Sequence, residues 1–150
     1  MTILALDLGT NCGWARGSGL TLIDSGTLRL KHGRHEHPGA RWERLRRDLI
    51  RLMTGCDLIV YERVRRHEGV QAAHCYGALK GAMESVAYSL GKDVRSLEVA
   101  HIKRHATGKG NATKHAMLAA AVRRGWKPTT FDQADALWIL DLAMLQESAP

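Results

Sequence analysis

Apolar positions along this chain follow two rhythms, one of strands and one of helices. Ile3 to Leu6 is a short uninterrupted apolar run that stops at Asp7-Leu8-Gly9-Thr10. That is the pattern of a strand buried on both faces and closed by a carboxylate and a glycine turn. Cys12 to Ala15, then Leu20 to Leu30 with Gly17, Gly19 and Gly26 as punctuation, read as two antiparallel strands returning beside it. The opening is thus expected to be a three-strand meander. Lys31 to Gly39 is polar, His-rich and carries Gly and Pro, after which Trp42, Leu45, Leu49 and Leu52 recur at helical spacing, with Arg44, Arg47 and Arg51 on a neighbouring stripe.

A second apolar run, Leu58-Ile59-Val60, sits within a strand expected over Asp57 to Glu62 and again ends at a carboxylate. Val70 to Leu90 has helical period, with Leu79, Met83, Val86 and Leu90 apolar and a row of small residues, Ala73, Gly77, Gly81, Ser85 and Ser89, at every fourth position. Such a row admits close approach of another backbone, either the chain's own sheet or a second copy. Lys92 to Leu97 reads as a short strand. Helices follow at about Val99 to His105 and Ala112 to Arg124, separated by the Gly108-Lys109-Gly110-Asn111 loop. Thr130-Phe131-Asp132-Gln133 fits a capping box, Thr as N-cap and Gln three residues on, opening a helix over Ala134 to Leu145. Strands first, then alternation with helices, predict an α/β fold with a sheet of mixed direction.

Composition narrows the class. At 150 residues, 45% hydrophobic and 25% charged, the chain is expected to form a single domain, 1–150, with an ordinary core. No apolar stretch approaches the roughly 20 residues of a membrane helix, and no basic leader precedes the first strand, so a cytoplasmic protein is expected. Cys12, Cys56 and Cys75 are odd in number and form no C-x-x-C pair, which argues against a disulfide framework. The 22 Lys and Arg exceed the 15 Asp and Glu, for a formal charge of +7, which favours a polyanionic partner.

Four acids stand out by position. Asp7 and Glu62 each close a buried strand, and in α/β sheets the carboxyl ends of adjacent strands form the ligand crevice. Asp132 and Asp135 are three apart at a helix start, on one face and within the positive dipole field. Carboxylates converging on one point repel unless a cation holds them, and hard oxygen donors select Mg²⁺ or Mn²⁺. Each acid read singly is more often a cap or turn residue. Asp141, six positions from Asp135, faces elsewhere, as a solvated or structural acid. His101 and His105 have helical spacing but lack the acid partner of a zinc motif.

These blocks together resemble the RuvC-type Holliday junction resolvases: Ile3-Leu4-Ala5-Leu6-Asp7-Leu8-Gly9-Thr10 with Gly13 and Trp14; Val60-Tyr61-Glu62; Ile102-Lys103-Arg104 through Thr107-Gly108-Lys109-Gly110 to Lys114; and Asp132-Gln133-Ala134-Asp135-Ala136-Leu137. They fall in the family's order and span Ile3 to Leu137. The resemblance implies a ribonuclease H-like mixed five-stranded sheet flanked by helices, and a homodimer acting on branched DNA. It implies a nuclease site holding two Mg²⁺, with Mn²⁺ able to substitute, on Asp7, Glu62, Asp132 and Asp135. It also implies that Lys103 and Lys114 stand near the scissile phosphate. The expected activity is symmetric paired nicking of four-way junctions, in the nucleoid and with no nucleotide cofactor.

Basic residues cluster beside those acids, as a nuclease requires. Arg63, Arg65 and Arg66 follow Glu62, and Lys103, Arg104, Lys109 and Lys114 form a Gly-containing basic stretch; these are the expected DNA contacts. Arg41 to Arg51 is less persuasive, because Glu43 and Asp48 are interspersed. One departure concerns the aromatic wedge that family members often carry after the second carboxylate. Here Val64-Arg65-Arg66-His67 occupies that region, so nuclease activity is better supported than strict four-way selectivity. The alternatives are a flap, fork or RNA-processing nuclease of the same superfamily, or a junction-binding protein without catalysis. Asp7-Leu8-Gly9-Thr10 also resembles the first phosphate loop of sugar-kinase and actin-like ATPases, but no second loop of that type follows.

Overall fold

The computed structural model describes residues 1–150. Five strands, β1 (Thr2–Asp7), β2 (Asn11–Ser18), β3 (Thr21–Arg29), β4 (Leu58–Arg63) and β5 (Asp93–Glu98), form one sheet in the order β3-β2-β1-β4-β5. The first three pair antiparallel as a meander, and β4 then adds parallel to β1 and β5 parallel to β4. The strand pattern predicted the meander and the mixed direction, and the five-stranded ribonuclease H-like sheet is the one the family resemblance implied. Five helices cover it: α1 (Ala40–Met53), α2 (Val70–Ser89), α3 (Val99–Thr107), α4 (Lys114–Arg123) and α5 (Phe131–Ser148).

Strand alternation decides which residues meet which helices. Ile3 and Ala5 of β1 and Leu58 and Val60 of β4 join the core under α3, α4 and α5. Leu4 and Leu6, with Ile59 and Tyr61, join the core under α1 and α2. Asp7 and Glu62 share the parity of the first set, so both belong to the face that carries α5. The strand register agrees, since they stand one step beyond the paired Leu6 and Tyr61.

Helix α5 is buried along most of its length, from Gln133 through Met144, because it lies on the sheet while α3 and α4 pack against it. A helix enclosed this way needs apolar residues on all sides, which explains the dense run Ala136-Leu137-Trp138-Ile139-Leu140. Helix α4 starts at Lys114 rather than at the expected Ala112, because the Thr113 side chain accepts from the Ala116 N–H and sets the cap there. Helix α3 ends at Gly108, whose φ of 82° closes the turn into the basic loop. No helix is long and apolar enough to cross a membrane.

Candidate active site

Three elements bring the four sequence-predicted acids to one place. Asp7 ends β1, Glu62 lies near the end of β4, and Asp132 and Asp135 occupy the first turns of α5; all four line one cleft of about 590 Å³. Lys103 reaches it from α3 and Lys114 from the first position of α4. Arg63, Arg65 and Arg66 form its outer wall, whereas Arg104 and Lys109 are not among its lining residues. Lys109 instead borders a separate surface depression with Thr107 and Arg123.

The close approach of α5 to β1 depends on a residue without a side chain. Gly13 pairs with Asp7 across the β1–β2 ladder. A Cβ built on it would stand 1.9 Å from the Asp132 carbonyl oxygen and 2.3 Å from its carbon. Only glycine lets the α5 backbone come this near the strand that carries Asp7.

Hydrogen bonds then hold the start of α5 in register with the sheet. The Thr130 hydroxyl accepts from the Gln133 N–H at 3.0 Å and lies 2.7 Å from the Thr27 hydroxyl on β3. Buried Gln133 donates to Ser25 at 2.9 Å and accepts from the Thr129 N–H at 2.8 Å. Half of the expected capping box therefore forms as read. The Gln133 side chain reaches one residue further back than the motif prescribes, because Ser25 holds its amide nitrogen. On the other side, the Tyr76 hydroxyl of α2 donates to the Glu62 carbonyl at 3.0 Å and accepts from the Val64 N–H at 3.2 Å. The strand end that presents Glu62 is thereby pinned.

Crowding of like charge marks the floor of the cleft. Burial, followed by the nearby Glu62, Asp135 and Asp132, holds the Asp7 carboxyl well above the ordinary aspartate range, with Asp132 within hydrogen-bonding reach of it. Burial, Glu62 and Asp132 push Asp135 up to about 7, against the opposing pull of Lys103 and Lys114. Burial also raises Glu62, again opposed by Lys103. These acids surround the floor rather than closing on a point: no three His, Cys, Asp or Glu side chains stand at the spacing of a finished metal site.

A fifth carboxylate, absent from the sequence reading, lines the same cleft. Glu98 ends β5 and accepts from Arg65 Nε at 3.1 Å and Nη2 at 2.7 Å, with Arg63 at 3.9 Å. Its signal was present, since like Asp7 it is a carboxylate closing a strand. Arg65, in the region of the missing wedge, is thus tied back across the cleft. Asp141 proves structural: it pairs with His105 at 2.7 Å and Arg124 at 3.1 Å, away from the cleft. The α2 row of small residues does not pack on the chain's own sheet. Gly77 and Gly81 are exposed and open, while α2 buries Leu79, Met83, Val86 and Ala87 instead.

Comparison with known proteins places this architecture. No family model matches the chain, and no curated protein matches it by sequence. Among solved structures, Thermus thermophilus RuvC is similar over 98% of this chain and 96% of its own, at 22% identity and a TM-score of 0.76. The same organism's RuvC in complex with a Holliday junction substrate matches over 97% and 94%, at 22% identity and a TM-score of 0.80. The yeast mitochondrial Holliday junction resolvase matches over 97% and 80%, at 14% identity and a TM-score of 0.65. Nearly the whole chain therefore has the RuvC resolvase fold.

Proposed function

We propose that this protein is a divalent-metal-dependent endonuclease that resolves four-way DNA junctions as a homodimer. The observation that carries the proposal is the convergence of Asp7, Glu62, Asp132 and Asp135, from three separate elements, in one cleft flanked by Lys103 and Lys114. The donor set fits the cation in chemistry, because it offers only hard carboxylate oxygens whose mutual repulsion and burial favour bound positive charge. Loaded with two Mg²⁺, or Mn²⁺ in their place, such a site supplies an activated water and a stabilised leaving oxygen for phosphodiester hydrolysis.

The chain's own residues do the remaining work. Lys103 and Lys114 oppose the charge that grows on the phosphoryl oxygens as the bond breaks. Arg63 and Arg66 present cations along the outer wall and hold the DNA backbone in register. Gly13 keeps Asp132 at the distance from β1 that lets both carboxylates face one phosphate. A C2 dimer presents two such sites to symmetry-related strands, which accounts for paired incisions. The exposed small-residue face of α2 leaves room for a second copy.

A second reading, a wider set of branched substrates such as flaps and forks, draws support from Arg65. That residue is held by Glu98 where an aromatic wedge would otherwise stand. Cleavage of a labelled four-way junction, a fork and a structured RNA in Mg²⁺ and in EDTA separates these. Symmetric nicks on two opposed strands of the junction are expected, with Mg²⁺ only. Asp7→Asn is expected to abolish cleavage while leaving junction binding in place, and retained cleavage by that variant would remove the proposed site.

A further inference from the structure

A second cavity, of about 410 Å³, opens where the β1–β2 turn meets the first turns of α1 and α2. Thr10, Arg41, Trp42, Gln71, His74 and Cys75 carry its chemistry, and none of its lining residues is acidic. The catalytic cleft differs sharply, since five carboxylates line it.

Arg41 is the exception among the arginines of α1. Arg44 pairs with Glu36, Arg46 and Arg47 with Glu43, and Arg51 with Asp48. Arg41 pairs with no carboxylate. Its guanidinium lies over the Trp42 ring, 4.3 Å from the centroid, a contact that fixes its plane without neutralising it. Its Nε is the one buried side-chain polar atom in the molecule without a hydrogen-bond partner. No guanidinium nitrogen of Arg41 donates to a protein acceptor, so the charge of this half-buried side chain is left to whatever occupies the cavity it lines.

The backbone points the same way. Helices α1 and α2 begin at this cavity on Gly39 and Gly69, and neither has a side-chain cap. The Ala40 N–H donates to the His37 carbonyl, whereas those of Arg41, Trp42, Gln71 and Ala72 have no partner in the chain and can meet an anion. The Thr10 hydroxyl and Cys75 thiol, 3.5 Å apart, join the β1–β2 turn to α2 along one wall.

We propose that this cavity is a phosphate-binding subsite that takes a backbone phosphate of the branched DNA, outside the scissile position. The assignment of DNA as the source rests on the function proposed above. Thr10 lies three residues after Asp7, so the two are within about 11 Å along the chain. The subsite thus follows the same strand end as Asp7, on the α1–α2 face of the sheet, and shares no lining residue with the acid-lined cleft on the α5 face.

Fluorescence anisotropy with a labelled four-way junction in EDTA reads binding apart from cleavage. Arg41→Gln is expected to weaken binding about three- to tenfold and to lower the slope of log affinity against log salt by about one. Arg41→Lys is expected to recover part of the loss, and Arg46→Gln, on the same helix but paired with Glu43, to bind as the native protein does. Native affinity and slope in an Arg41→Gln protein of native circular dichroism would overturn the subsite. If the native protein itself binds no branched DNA, the function proposed above fails, and inorganic phosphate then decides the subsite by NMR of the His74 ring. A phosphate-dependent shift that Arg41→Gln abolishes upholds it, while a shift common to both proteins, or none, overturns it.

Discussion

Single residues carry the electrostatic tension of the cleft. Asp135 is pushed from the ordinary 3.8 to about 7 by burial and by Glu62 and Asp132. An acid raised in this way keeps a proton in the folded state that the unfolded chain has already released. Stability of the metal-free protein therefore falls as pH rises between about 4 and about 7. Asp135→Asn is expected to be more stable than the native protein at pH 8 by about 4 kcal/mol, and no different at pH 4, by urea denaturation in EDTA. Equal stability at pH 8 would show that the carboxylate carries no such penalty. Asp7, Glu62, Asp132 and Asp135 were legible from their places at strand ends and a helix start. Glu98 occupies an equivalent place and was missed, because nothing local to β5 announces that Arg65, 33 residues away, will lie beside it.

Secondary elements set how closely those residues approach. The Gly13→Ala methyl would meet the Asp132 backbone, which cannot swing aside as a side chain can. The substitution is expected to cost about 3 kcal/mol and to abolish cleavage with every acid still present, as chemical denaturation and junction cleavage would measure. Thr130→Ala removes both the α5 cap and the bond to Thr27. It is expected to cost about 1–2 kcal/mol and to lower cleavage more than DNA binding, because it loosens the helix start that positions Asp132. Element identities were plain in the hydrophobic rhythm, and most boundaries moved by a residue or two. The cap at Thr130 was legible because capping is local. That Gln133 would turn to Ser25 was not, because Ser25 lies 108 residues earlier and meets it only through the fold.

At the scale of the whole molecule, the charge surplus and the outer faces come into play. Five cations and five carboxylates line the acidic cleft, so the formal excess of +7 lies outside it, on the remaining surface, where the proposed function needs it for the arms of a branched DNA. Gly81 has open space around its Cα, so Gly81→Glu is compatible with the monomer fold and improves local helix propensity. If α2 forms the dimer seam, sedimentation of that variant shifts toward monomer while its circular dichroism is unchanged; an unchanged dimer would place the seam elsewhere. The amino-acid sequence by itself determined the strands and helices, their order, and the acids that end them, because periodicity, capping and strand-end position are properties of neighbouring residues. Only the tertiary structure decided that α5 meets the β1–β2 ladder at Gly13, that Glu98 holds Arg65, and that Arg41 alone among the α1 arginines faces an acid-free cavity. Each of those depends on elements far apart in the chain coming within a few ångströms, and no local pattern encodes such an approach.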